Sequence, residues 1–145
     1  MKEQATKPRG FQLVVETTPL EGYGVRLLET NGSPTAQPHA VVHLGPPRTR
    51  RVLPHLIGAV KASRHPASVL GPERRKPIRL DEAAGVRLAL VLLATGRLTK
   101  WQRVERVAAG IEAMTIEEAY YWYAKCVGPT GRRAQSSLRL LLAEE

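Results

Sequence analysis

The sequence predicts an α+β domain, an N-terminal β-hairpin or small antiparallel sheet packed on about five helices. Three observations carry that expectation. Two runs of β-branched and apolar residues flank a turn near the N-terminus. An almost uninterrupted apolar stretch follows the midpoint of the chain. Two Ser/Thr-x-x-Glu/Gln motifs then punctuate the C-terminal half, as helix-starting capping boxes do.

In chain order, residues 1–10 are polar and read as a flexible tail, without the apolar stretch of a secretory signal. Phe11-Gln12-Leu13-Val14-Val15-Glu16-Thr17 forms the first predicted strand, and Gly24-Val25-Arg26-Leu27-Leu28-Glu29 the second, after Pro19 and Gly22. Asn31-Gly32, Pro34 and Pro38 mark residues 31–38 as a loop. Residues 40–44 make a third short strand, stopped by Gly45-Pro46-Pro47. Over residues 48–64 the period changes, because Val52, Leu56, Ala59, Val60 and Ser63 recur at helical intervals. Pro54 is tolerated only in a first turn, so the helix should begin near Leu53 and end before His65-Pro66. Residues 71–77 are basic, bounded by prolines and expected to be exposed.

Asp81 and Glu82 favour the positive end of a helix that runs to about Thr95, apolar on nearly every side and so central. Thr99-Lys100-Trp101-Gln102 and Thr115-Ile116-Glu117-Glu118 are the two capping motifs, starting helices over about 100–113 and 116–127. Val104, Val107, Ala108 and Ile111 should face the core from the first of them. Gly128-Pro129 stops the second, and a last helix covers 132–143, with Ala134, Leu138, Leu141 and Leu142 inward and Arg132, Gln135, Ser136 and Arg139 outward. The expected organisation is a tail over 1–10 and one domain over 11–145. That domain divides into a hairpin region (11–45), a basic helix and loop (48–79) and a helical core (80–143).

The net charge of +9 is unevenly placed. Residues 1–47 and 80–145 are close to neutral, whereas residues 48–79 hold Arg48, Arg50, Arg51, Lys61, Arg64, Arg74, Arg75, Lys76 and Arg79 against Glu73 alone. A segregated positive field attracts polyanions, either nucleic-acid phosphates or an acidic protein. These nine residues are the candidate binding set. Arg132, Arg133 and Arg139, with Tyr121 and Trp122, form a possible secondary surface.

Catalytic signatures are missing. No phosphate-binding glycine loop, nucleophile elbow or His-Glu-x-x-His motif is present, so an enzyme is not expected and no cofactor is assigned. His39 and His43 are four apart but lie among prolines and glycine, where a helix-borne metal pair is not expected. Cys126 is the only cysteine, which excludes an internal disulfide and fits a reducing cytoplasm. No apolar run approaches the roughly 20 residues of a membrane span, so a cytoplasmic protein without membrane contact is expected. In Tyr120-Tyr121-Trp122-Tyr123, the stripe Ile116, Ala119, Tyr120, Tyr123, Val127 reads as core. Tyr121 and Trp122 are then either covered by the last helix or exposed anchors.

Residues 100–127 also permit a helix-turn-helix, the alternative reading as a stand-alone DNA-binding regulator. Against it, Glu117 and Glu118 would meet the phosphate backbone at the entrance of the recognition helix.

Leu80-Asp81-Glu82, Gly85-Val86-Arg87-Leu88, the run from Met114 to Cys126, Arg133-Ala134-Gln135 and Leu138-Arg139-Leu140-Leu141 are similar to a bacterial family of small proteins of unknown function. The resemblance covers about residues 80–143. It places such proteins among antiphage defence genes, beside helicases and methyltransferases, and it brings no catalytic residues. Gly45-Pro46-Pro47 and Pro54 stand as departures from the pattern. The resemblance implies a non-enzymatic accessory or adaptor subunit of a nucleic-acid-handling system. Its partner would be nucleic acid, DNA ahead of RNA, or a larger subunit such as a helicase or methyltransferase.

Overall fold

Period-two burial organises residues 10–30. In the computed structural model, which describes residues 10–30 and 37–143, Gly10–Thr18 forms β1 and Gly22–Thr30 forms β2. The two pair antiparallel without interruption from Gly10↔Thr30 to Thr18↔Gly22. Gly22 closes the turn at φ +103°, a conformation that side chains other than glycine disfavour. His39–Leu44 forms β3 along the free edge of β2, and Ile78–Leu80 forms β4 along the free edge of β1, giving the order β3-β2-β1-β4. Residues 1–9 of the expected tail (1–10) and 31–36 of the expected loop (31–38) lie outside the described residues, and Gly10 belongs to β1 instead.

Phe11, Leu13, Val15, Val25, Leu27, Ile78 and Leu80 are buried on one face of this sheet. Gln12, Val14, Glu16, Arg26, Leu28 and Arg79 occupy the other. The β4 strand corrects the sequence reading, which placed residues 78 and 79 in the basic segment and opened the helical core at Leu80. Ile78-Arg79-Leu80 does alternate in burial, but three residues are too few to register as a period beside Pro77.

Among the described residues there are six α-helices, where about five helices were expected, and a short 3-10 turn at Ala67–Leu70. Gly45-Pro46-Pro47 does not merely stop β3, because Pro46–Arg51 is itself a helix, α1, with prolines in its first positions. A first-turn proline needs no N–H partner and has its φ preset for the helix, so the pair starts α1. The Thr49 N–H donates to the Gly45 carbonyl (2.9 Å) and its hydroxyl to that of Leu44 (3.2 Å), fixing α1 to the end of β3. Leu53–Ala62 is α2, beginning at Leu53 with Pro54 in its first turn, as the sequence predicts. Its C-terminus is a Schellman motif, in which His65 N–H reaches the Val60 carbonyl (3.1 Å) and Arg64 N–H the Lys61 carbonyl (2.9 Å). Arg64 takes the left-handed position usually given to glycine, at φ +68°.

Glu82–Thr95 is α3, the central helix, with nine of its residues buried. It touches α2, α4, α5 and α6 as well as β1. The Asp81 side chain does not cap it; instead the Asp81 N–H donates to the buried Ser63 hydroxyl at 2.8 Å, tying α3 to the end of α2. Trp101–Ala113 is α4 and Ile116–Cys126 is α5. Val104, Val107, Ala108 and Ile111 are buried as expected.

The two capping motifs part company. At α5 the box is complete: Thr115 Oγ1 accepts from Glu118 N–H (3.1 Å), and Thr115 N–H donates to Glu118 Oε1 (2.9 Å). At α4 it does not form, because the helix starts at Trp101 and Lys100 rather than Thr99 takes the capping position.

Gly131–Ala143 is α6, anchored by Leu138 with Ala134 and Leu142 partly buried on the same side. Leu141, expected inside, is 59% exposed, since the buried stripe falls on every fourth residue and misses it. Val127 is likewise exposed, because α5 ends at Cys126 and the chain turns away there. None of the described helices is long and apolar enough to cross a membrane.

Candidate nucleic-acid interface

The continuous basic segment of the sequence becomes two clusters. Lys61 and Arg64 sit at the end of α2, Arg74, Arg75 and Lys76 in the following loop, and Arg79 on β4. His65 Nε2 to the Arg79 carbonyl (3.2 Å) holds the end of α2 beside that strand, so these six cations gather at the β4 edge of the sheet. Lys61, Arg64, Arg75, Lys76 and Arg79 are exposed. Arg74 is half-buried and turns inward, its Nε donating to the Lys76 carbonyl at 2.8 Å. Arg48, Arg50 and Arg51 lie on α1, at the far end of α2, a helix of about 15 Å. Among the described residues the ion pairs join Arg26, His39, His43 and His55 to glutamates, and none involves the nine cations. Seven of the nine are exposed, while Arg51 and Arg74 are half-buried and donate to backbone carbonyls.

A second basic group, absent from the sequence-derived set, joins the α1 arginines. Arg51 reaches the Leu98 carbonyl at 3.5 Å, and Arg48 and Arg51 line one crevice with Gly96 and Leu98 of the α3–α4 corner. The same corner carries exposed Arg97, Lys100 and Arg103. From α6, Arg139 donates to the Ala94 carbonyl at 3.1 Å. It was expected to face outward, but it is half-buried against this corner. Burial, and then the nearby charges of Arg97 and Arg103, hold the Arg139 guanidinium below its ordinary range. These like charges crowd one another, and a bound anion would relieve them.

The remaining secondary-surface residues divide. Tyr121, Trp122 and Arg133 line a shallow groove between α5 and α6, whereas Arg132 and Arg133 border the turn around Gly128 to Gly131. Tyr121 is 57% exposed, stacked edge-on with Trp122 and covered by Lys125 Nζ 5.0 Å from its ring centroid. Trp122 packs partly against the core. The β-bulge at Leu27/Leu28 shifts the register of β3, so His39 pairs across from Glu29 while His43 pairs across from Arg26, on opposite faces. They contact separate glutamates, His39 with Glu29 (3.9 Å) and His43 with Glu16 (2.9 Å). No group of three or more metal-ligating side chains is gathered among the described residues.

An apolar cleft of about 220 Å³ lies between α2, α3 and the end of α4, floored by Gly58, Ala59, Ala84, Leu88 and Val91. His55 closes one side, its ring nitrogens 2.9 Å from Glu112 and 3.2 Å from Glu105, and so crosslinks α2 to α4. The Cys126 thiol is 3% exposed, and burial pushes it up to about 11 against the opposing pull of Arg139.

Cys126 therefore predicts alkaline sensitivity. Between the ordinary thiol pKa near 9 and about 11, the unfolded chain ionises its thiol while the folded chain keeps the proton. Stability is then full below the lower value and falls as pH rises through this window. Urea midpoints at pH 8 and pH 10.5 should show a loss that Cys126→Ser reduces; an equal loss in both chains would exclude the thiol as its source.

Residues 6–144 match the domain of unknown function DUF7680. The chain belongs to that family. No curated protein and no solved structure matches it. The match runs beyond residues 80–143, where the resemblance in the sequence lies, and takes in the sheet and the basic segment as well as the helices. What sequence reasoning missed in this DUF7680 chain is the corner at 96–103. Arg97, Lys100 and Arg103 recur every three residues there, but they vanish in the near-neutral sum over 80–145. Of the described acids in that segment, Glu105 and Glu112 are held by His55 and Glu118 by its capping box.

Proposed function

We propose that this chain is a non-enzymatic accessory or adaptor subunit of a bacterial nucleic-acid-processing or antiphage defence system, holding DNA phosphates on its basic surface. The observation that carries the proposal is the β4-edge cluster of Lys61, Arg64, Arg74, Arg75, Lys76 and Arg79, with no described carboxylate paired to any of them. Point charges of this kind position a backbone without reading bases. The DNA-regulator reading gains no support from α5, whose first turn carries Glu117 and Glu118 toward any approaching strand.

Binding of the full chain to several duplexes of unrelated sequence, followed by fluorescence anisotropy, tests this. Similar affinities are expected for all of them, with a uniform weakening in Arg74→Ala/Arg75→Ala/Lys76→Ala. A strong sequence preference that survives those substitutions would overturn phosphate holding in favour of a base-reading regulator. Absence of binding to every duplex would overturn it in favour of a protein partner such as a helicase or methyltransferase subunit.

A further inference from the structure

The α3–α4 corner offers more than phosphate contacts. Trp101, the first residue of α4, is 52% exposed, and no ring or cation sits against its indole among the described residues. Tyr121, the other well-exposed aromatic ring, is already occupied by Lys125 and Trp122. Trp101 opens α4 at a corner that gathers cations from three elements. Arg97, Lys100 and Arg103 belong to the corner itself, Arg48 and Arg51 reach it from α1, and Arg139 from α6. Residues 96–103 contain no acid, and Glu105, one helical turn on from Trp101, is held by His55 at 3.2 Å.

An exposed indole at a basic corner matches one kind of nucleic acid better than another. Within a duplex the bases are stacked on each other and hidden from a flat ring on a protein surface. An unpaired base exposes its face and can stack on an aromatic side chain while its phosphates meet the surrounding cations. An acidic protein would use the charges but has less need of an uncovered ring. We infer that the α3–α4 corner binds single-stranded nucleic acid, with Trp101 as the stacking platform and Arg48, Arg97, Lys100 and Arg103 on the backbone. This inference rests on the phosphate-holding function and narrows its substrate to unpaired strands.

The test titrates the full chain with a 20-nucleotide oligothymidylate and with a 20-base-pair duplex at the same KCl concentration. The intact chain should prefer the single strand. Trp101→Ala should weaken oligothymidylate binding by about 5- to 150-fold, the range of one lost base stack, and leave the duplex nearly unaffected. Trp101→Phe should retain most of the affinity, and since Trp101 is exposed both variants should keep the native melting temperature. Equal losses on both DNAs, or no loss on oligothymidylate, would overturn the single-strand site while leaving phosphate holding intact. If the intact chain binds neither DNA, phosphate holding fails and the inference falls with it.

Discussion

Gly85→Ala will lower the free energy of unfolding by about 1–3 kcal/mol, although alanine is the better helix former. Gly85 is buried in α3 where that helix crosses β1. A Cβ built on it would lie 2.5 Å from Phe11 Cδ1 and 2.7 Å from Phe11 Cβ. The ring is fully buried and has no free space to enter, so either α3 or β1 must shift. Gly58 gives the contrast. It is exposed in α2, and a Cβ there meets nothing within 4 Å. Gly58→Ala should therefore stabilise the chain by about 0.5–1 kcal/mol through propensity alone. Urea unfolding of the two variants should move the midpoint in opposite directions. A shift of the same sign in both would mean that close packing of α3 on β1 is not what holds Gly85.

Tyr123→Ala will cost about 3–5 kcal/mol, the range for removing a large buried aromatic. Tyr123 is 1% exposed and sits where α5 meets the sheet. Its ring packs edge-on against Phe11, with centroids 5.7 Å apart and planes at 74°. Its hydroxyl donates to Glu29 Oε1, a β2 carboxylate only 7% exposed. The milder Tyr123→Phe keeps the ring but removes one donor from a buried carboxylate, at a cost of about 1–3 kcal/mol. If Tyr123→Phe unfolds at the midpoint of the intact chain, the hydroxyl is not a structural tie. Gly85 and Tyr123 both contact Phe11, so their effects should not add.

Much of this core was legible in the sequence because burial there follows simple periods. β1 alternates, as does β2 from Val25 onward, α3 is apolar on nearly every side, and Thr115-x-x-Glu118 is a cap whose register matches its helix. Where a local signal conflicted with its surroundings, reading failed. Pro46-Pro47 marks a strand's end and a helix's start equally well, so α1 was hidden. Thr99 carries the right motif one residue too early. The Tyr123–Glu29 tie spans 94 residues and could not be read from spacing. For the candidate interface, charge counting found the β4-edge cluster. It could not separate Arg48 and Arg51 from that cluster, nor join them to Arg97, Lys100, Arg103 and Arg139, because only packing of α1 and α6 at the α3–α4 corner does so.

The most direct test of a phosphate-holding surface is the salt dependence of duplex binding by the full chain. The logarithm of the association constant should fall linearly with the logarithm of KCl concentration, by about 0.9 for each phosphate neutralised. In Arg74→Ala/Arg75→Ala/Lys76→Ala the slope should become shallower by up to about 3, as three such contacts are lost. An unchanged slope in that variant, or affinity in the intact chain that does not respond to salt, would contradict it.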